Sequence, residues 1–79
     1  MIIVDVYVPS VDDSFDFQLD EHATIDAVIM DMVGIISKKT GSITDGDFAL
    51  YDSITKRRLH GSDTLGNAGV KEGERLILV

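Results

Sequence analysis

Apolar residues in the middle of the chain recur with the period of an α-helix. The members of this stripe are Ile25, Val28, Ile29, Met32 and Ile36. Because a helix repeats about every 3.6 residues, these positions share one face, and we predict a helix from Thr24 to Lys39. Thr24 is suited to cap its amino end, and Gly41 can end it in a left-handed conformation. Gly34 lies inside the run and is unfavourable in a helix, so a continuous helix and one that bends or frays from Gly34 both stay open.

Two segments before the helix alternate between apolar and polar residues, as strands with one buried face do. In the first segment, residues 2–8, the inward side chains are Ile2, Val4, Val6 and Val8. In the second, residues 14–20, they are Phe15, Phe17 and Leu19. Pro9 to Asp13 is a polar turn between them. We therefore predict a β-hairpin with one face in water.

The segments after the helix are shorter. A polar loop from Gly41 to Gly46 leads to a predicted strand, Phe48 to Asp52, and a tip from Ser53 to Arg58 returns the chain through Leu59. A last strand covers Glu74 to Val79. The core residues predicted in this half are Phe48, Leu50, Leu59, Leu65, Val70, Leu76 and Leu78. Because a helix with one apolar face needs a sheet to cover it, we predict an α+β fold in the order ββαββ.

Length and composition indicate one small domain that covers residues 1–79. The chain contains no cysteine, which excludes disulfides and thiolate metal sites. Its amino terminus lacks the basic and apolar regions of a secretion signal, and no apolar run approaches the roughly 20 residues of a membrane helix. We therefore expect a soluble, unprocessed, cytoplasmic protein.

The charge argues against nucleic acid as a partner. The formal net charge is −7, and the only basic cluster is Lys56-Arg57-Arg58 at the predicted tip. Binding to phosphates needs more Lys and Arg than this on one face. The charge is also uneven, because residues 1–37 contain Asp and Glu but no Lys or Arg. This asymmetry favours either encounter with a basic surface or solubility alone, and both interpretations stay open.

No pattern typical of catalysis or metal binding is present. The only histidines, His22 and His60, are not joined to each other or to cysteine by a spacing that binds metals. Serine, histidine and aspartate residues are scattered over predicted turns, and no glycine-rich phosphate loop follows a strand. We expect no metal, no cofactor and no catalytic residues, so the chain is not predicted to be an enzyme.

Nearly the whole chain resembles the ubiquitin family. The helix entry, Thr24 to Val28, is similar to the pattern of ubiquitin, with a capping Thr, an apolar residue, an acid and a buried Val. The closing run, Thr64 to Val79, looks like the short turn and last strand of ubiquitin. The resemblance implies a β-grasp fold, in which a mixed sheet wraps around one helix and the first and last strands are parallel neighbours.

The chain departs from the protein modifiers of that family at its carboxyl end. Modifiers and sulfur carriers need a Gly-Gly terminus, whereas this sequence ends at Val79 and contains no Gly-Gly. The surface isoleucine that most ubiquitin receptors bind is replaced here by Ala49. The resemblance therefore implies a ubiquitin-like protein that is not conjugated to substrates and does not bind those receptors.

Among ubiquitin-like proteins without this tail, the chain most resembles the YukD/EsaB family of type VII secretion systems. The match rests on length and on the stretch Glu72 to Leu76. It implies a bacterial, cytosolic, protein-binding accessory of a membrane-embedded ESX/WXG export machine. An alternative is a small structural subunit of a multicomponent enzyme such as a diiron monooxygenase, because tail-less ubiquitin-like subunits occur there too.

The outward positions of the first, third and last predicted strands are unusually apolar. They include Ile3, Tyr7, Ala49, Tyr51, Ile77 and Val79. If these strands are neighbours, as the resemblance implies, one surface combines Tyr7, Ala49, Tyr51, Ile77 and Val79, and we call it the sheet-face patch. Apolar surfaces rimmed by charge often bind proteins. Because β-propensity alone also places apolar residues on strands, both interpretations stay open.

Overall fold

A computed structural model of the chain describes residues 1–41 and 48–79, so most of the predicted loop from Gly41 to Gly46 lies outside the described residues. The elements are β1 (Ile2–Val8), a short 3₁₀ helix (Pro9–Val11), β2 (Asp13–Leu19), α1 (Ile25–Thr40), β3 (Leu50–Asp52) and β4 (Arg75–Leu78). Each predicted strand and the predicted helix are present, with ends that differ by one or two residues. The largest difference is at β3, which begins at Leu50 rather than at Phe48.

The four strands form one mixed sheet in the order β2-β1-β4-β3. β1 pairs with β2 and β4 pairs with β3 in antiparallel fashion, whereas β1 and β4 are parallel. The predicted α+β class is confirmed, and so is the parallel pairing of the first and last strands that the resemblance implied. The sheet therefore has β1 and β4 at its centre and two edge strands, β2 and β3.

α1 begins and ends at the residues that the sequence pattern indicated. The Thr24 hydroxyl accepts a hydrogen bond from the Ala27 amide at 3.3 Å, and Gly41 follows the helix in the left-handed region with φ +64°. The helix continues through Gly34 to Thr40, which answers the question that the sequence left open. Ile36 is fully buried beyond that glycine and holds the last turns against the core.

The first amides of α1 are satisfied by a distant turn. The Ile25 amide donates to the Asp63 carbonyl at 2.8 Å, and the Asp26 amide donates to the Gly61 carbonyl at 3.0 Å. Amides in the first turn of a helix have no partner within the helix, so they must find one elsewhere. These two bonds attach the segment after the basic tip to the start of the helix.

The core lies between α1 and the inner face of the sheet. Its fully buried members are Val4, Val6, Val8, Ile25, Met32, Ile36, Leu50, Leu65, Leu76 and Leu78. The alternation of β1 is therefore confirmed from Val4 onward. Four residues predicted to point inward, Ile2, Phe15, Ile29 and Phe48, are half-buried and pack around the rim of this core. The core also receives Val33, which lies outside the helical stripe that the sequence indicated.

Truncation of a core residue in β4 should destabilise the protein strongly. Leu76 is fully buried opposite Val6 of β1. Leu76→Ala should lower the free energy of unfolding by about 2–5 kcal/mol, because it removes buried apolar surface and leaves a cavity. Urea denaturation monitored by circular dichroism would measure this loss.

Ile77→Ala is the matched control, because the next residue of the same strand points to the opposite face. It should cost about 1 kcal/mol or less, the range of strand propensity on a solvated face. Equal losses for the two variants would contradict the facing assigned to β4.

Candidate protein-binding surface

The pairing of three strands brings the residues of the sheet-face patch together. Tyr7 lies opposite Ile77 across β1 and β4, and Tyr51 lies opposite Ile77 across β3 and β4. These three side chains therefore form one row across the outer face of the sheet. Ala49 and Val79 form the next row, joined by two backbone hydrogen bonds of 2.7 and 2.9 Å. The five residues predicted as one surface are adjacent in the structure.

The patch is partly accessible and has an apolar centre. Val79 is exposed, whereas Tyr7, Ala49, Tyr51 and Ile77 are half-buried by their neighbours on the same face. Tyrosines on a sheet offer a rigid apolar ring together with a polar hydroxyl, which is the composition found at the centre of many protein interfaces. The arrangement is suited to contact with another protein.

Charged groups hold Tyr7 in place at the border of the patch. Its hydroxyl donates to a carboxylate oxygen of Asp12 at 3.0 Å. The Arg75 guanidinium lies 5.5 Å from the centre of the Tyr7 ring, and its Nε is 3.3 Å from a carboxylate oxygen of Asp5. The hydrogen bond to Asp12 and the negative charge of that residue raise the pKa of Tyr7. The phenol therefore stays neutral and has a fixed orientation.

Ile3 is separated from the patch although it lies on the same face. Its side chain is 48% exposed, and its amide donates to the Glu72 carboxylate at 3.2 Å. Asp5 and Arg75 form a charged row between Ile3 and Tyr7. This apolar position is therefore isolated by charge from the surface that Tyr7 joins.

Two acidic residues, Glu74 and Asp52, lie close together on the inner side of the sheet. One carboxylate oxygen of Glu74 is buried and has no hydrogen-bond partner among the described residues. Burial, followed by the nearby carboxylate of Asp52, raises the pKa of Glu74, and Lys71 opposes this change. The sequence did not reveal this pair, because Asp52 ends β3 and Glu74 directly precedes β4, so the two acids meet only through the β3–β4 pairing.

The basic tip and the segment after it line a shallow groove of about 300 Å³. Its lining residues are Asp52, Thr55, Arg57, Arg58, Leu59, His60, Asp63 and Ala68. The Asp52 carboxylate accepts hydrogen bonds from the Ile54 and Thr55 amides at 2.8 and 3.2 Å, which organises the turn. The Lys56-Arg57-Arg58 cluster is exposed and adjoins acids of opposite charge, so it does not form a continuous basic surface.

One group of side chains of the kinds that bind metal ions was not recognised from the sequence. Ligand atoms of the consecutive residues Asp20, Glu21 and His22 lie within 4.8 Å of one another. The Asp20 carboxylate accepts from the His22 amide at 2.9 Å, and the Glu21 carboxylate pairs with the amino terminus at 3.3 Å. Such contacts are sufficient to explain this exposed cluster, and we assign no cation to it.

No helix within residues 1–41 and 48–79 combines the length and the hydrophobicity that are needed to cross a lipid bilayer.

Comparison with protein families gives a match over almost the whole chain. The family is described as "WXG100 protein secretion system (Wss), protein YukD", and its sequence model matches residues 1–78. No curated protein matches the chain significantly.

Three solved structures illustrate the structural similarity. The EccD5 ubiquitin-like domain of Mycobacterium xenopi is 21% identical, with a TM-score of 0.81 over 99% of this chain and 91% of that domain. The ubiquitin-like domain of the Mycobacterium tuberculosis type VII secretion protein ECCD1 is 22% identical, with a TM-score of 0.71 over 100% and 99%. A chain of the toluene 4-monooxygenase HD complex is 12% identical, with a TM-score of 0.84 over 99% and 95%. At these identities the similarity shows a shared ubiquitin-like fold, and the β-grasp prediction is confirmed.

The half-buried carboxylate of Glu74 leads to a prediction about the pH dependence of stability. Because folding raises the pKa of Glu74 above its ordinary value of 4.5, the folded protein should lose stability as the pH rises through that region toward neutrality. Glu74→Gln removes the charge and should be more stable than the wild type at pH 7. The gain should shrink as the pH falls below the ordinary pKa, where both forms are uncharged. Denaturant titrations over this pH range would measure the difference.

Asp31→Asn serves as a control, since it removes the same charge from an exposed position on α1. It should not reproduce the gain at neutral pH. A Glu74→Gln protein that is less stable than the wild type at pH 7 would contradict the unfavourable environment assigned to this carboxylate.

Proposed function

Because the chain belongs to the YukD family of the WXG100 protein secretion system, we propose that it is a non-conjugated, cytoplasmic accessory of a type VII secretion system. It acts by binding a protein of the membrane-embedded secretion complex and does not catalyse a reaction. The structural similarity to EccD ubiquitin-like domains supports this proposal, since those domains belong to components of such systems.

The sheet-face patch is the observation that supports a binding role most directly. Its central row of Tyr7, Ile77 and Tyr51 is apolar, and its border carries the charged pair of Asp5 and Arg75. An apolar centre with a polar rim is the usual composition of an interface that forms between separately folded proteins. The fixed orientation of Tyr7 also lowers the entropy lost when a partner binds, because less side-chain motion remains to be restricted.

The chemistry of the patch supports binding rather than catalysis. A tyrosine that acts as a nucleophile or base needs a lowered pKa, whereas the contact with Asp12 raises the pKa of Tyr7. Three of the other four members of the patch, Ala49, Ile77 and Val79, carry no reactive group. Recognition of a protein surface is the role that these side chains fit.

A second candidate function is that of a structural subunit in a multicomponent oxygenase. The observation in its favour is the similarity to a chain of the toluene 4-monooxygenase HD complex, which covers nearly the whole length of both chains. The family match favours secretion. Neighbouring genes would discriminate between the two, because a secretion ATPase and WXG100 substrates accompany one system and hydroxylase subunits accompany the other.

Substitution within the patch should block secretion without unfolding the protein. In a host that lacks this protein, we expect wild type to restore export of the WXG100 proteins and Ile77→Asp to fail. On the free sheet face the aspartate should cost about 1 kcal/mol or less, because the position is partly solvated. In an interface the same carboxylate would be buried without a partner, at a cost of several kcal/mol. Immunoblots of the culture medium and copurification with the secretion complex would measure both effects.

Met30→Asp provides the matched control. Met30 is 75% exposed on the outer side of α1, away from the sheet, so the same apolar-to-acid change tests a different surface. This variant should support secretion, and both variants should melt close to wild type. Normal secretion with Ile77→Asp would exclude the patch as the docking surface, and normal secretion without the protein would contradict the accessory role itself.

A further inference from the structure

The backbone groups of β1 alternate between its two neighbouring strands. The Asp5 amide donates to the Glu74 carbonyl at 3.0 Å, and the Ile3 carbonyl accepts from the Gly73 amide at 2.7 Å. Odd-numbered residues of β1 therefore direct their amides and carbonyls toward β4. Successive residues of a strand point these groups to opposite sides, so the even-numbered residues bond to β2.

The register of the hairpin then identifies the unused groups of β2. The residues opposite the odd-numbered positions of β1 are Ser14, Asp16 and Gln18. Their amides and carbonyls point away from β1, toward the open edge of the sheet. The Ser14 amide is satisfied by the Asp13 carboxylate at 2.8 Å. The amides and carbonyls of Asp16 and Gln18 have no partner within residues 1–41 and 48–79. An edge with free backbone groups is a template on which another strand can pair.

The charge beside this edge is unbalanced. Asp16 lies directly opposite Asp5, and a pair of like charges at this distance is unfavourable. Arg75 lies on the other side of Asp5 and pairs with that residue, which leaves Asp16 without an ion pair in the described chain. A Lys or Arg on a strand added beside β2 would lie next to Asp16 and supply the missing positive charge.

The other side of the edge is apolar. Phe15 is half-buried at the rim of the core, and the Lys39 ammonium lies 6.0 Å from the centre of its ring, so the last turns of α1 flank β2. Ile35, one helical turn before Lys39 on the same side of α1, is 46% exposed. An added strand would place every second side chain toward this apolar surface and the remaining ones toward Asp16.

We propose that the free edge of β2 binds an extended segment of another protein in which Lys or Arg alternates with apolar residues. Backbone hydrogen bonds to Asp16 and Gln18 hold the segment, and the alternation decides which sequences bind. A second copy of this chain is disfavoured as the occupant, because β2 would then meet another acidic β2. This inference concerns a surface other than the sheet-face patch and does not depend on a role in secretion.

A peptide titration followed by nuclear magnetic resonance tests the proposal. The probe is a capped heptapeptide of alternating valine and lysine, and we expect weak binding with a dissociation constant in the millimolar range, since few contacts are made. The Asp16 and Gln18 amide resonances should shift and become protected from hydrogen exchange. Shifts that occur only on other surfaces, or no shifts at all, would overturn the proposal. Concentration-dependent shifts of these amides without peptide would identify a second copy as the occupant instead.

Two substitutions of Gln18 separate strand pairing from general attraction between charges. Gln18→Pro removes the outward amide without touching the bonds between β1 and β2, and proline is tolerated at such edge positions. It should weaken peptide binding by up to about tenfold, the value of one lost hydrogen bond. Gln18→Ala keeps the amide and should bind as wild type does. Equal binding by all three proteins, each shown to be folded by its melting curve, would exclude backbone pairing.

A reversal of charge tests the role of Asp16 and remains informative if the proline variant does not fold. Asp16→Lys should lose affinity for the valine–lysine peptide and gain affinity for the matching valine–glutamate peptide. The main alternative is that the acids of β2 only protect a bare edge from aggregation. In that case neither peptide would bind the wild type or the variant, and the proposal would be wrong.

Discussion

The parallel pairing of β1 with β4 is the interaction on which the rest of the structure depends. It places β1 at the centre of the sheet and joins the two ends of the chain through bonds such as that between Asp5 and Glu74. Tyr7 and Ile77 become neighbours only through this pairing. The same pairing occupies one side of β1, and β2, which pairs with the other side, is an edge strand of the sheet. Both proposed binding surfaces are therefore consequences of one strand contact.

The elements of the fold could be predicted because burial of one face leaves a period in the sequence. The alternation in β1 and β2 and the helical stripe of α1 each repeat at the spacing of their own backbone. The sequence left open whether the helix continues past Gly34, and it does so because the local preference of glycine is overridden by the burial of Ile36 in the core two residues later. Local propensity is decisive only where tertiary packing is weak.

The composition of the candidate surface could also be predicted from the sequence, but the individual contacts within it could not. The outward residues of each strand are readable from alternation, and the ubiquitin resemblance supplied the strand order that joins them. Register is not readable in this way, since it depends on how strands distant in sequence align. The contact of Tyr7 with Arg75, the buried carboxylate oxygen of Glu74 and the unbalanced charge beside Asp16 all follow from register. They became visible only with the structure.

The two central strands, β1 and β4, are far apart in the sequence, and this affects how the protein first folds in a cell. Ile3 and Glu72, which are linked by a hydrogen bond, lie 69 positions apart. The β1–β2 hairpin and α1 can form as soon as they leave the ribosome, because their contacts are local. β1 has no second neighbour until the final strand has been synthesised. During translation the inner strand of the finished sheet is thus itself an open edge, and the apolar face of the helix is only partly covered until β4 emerges.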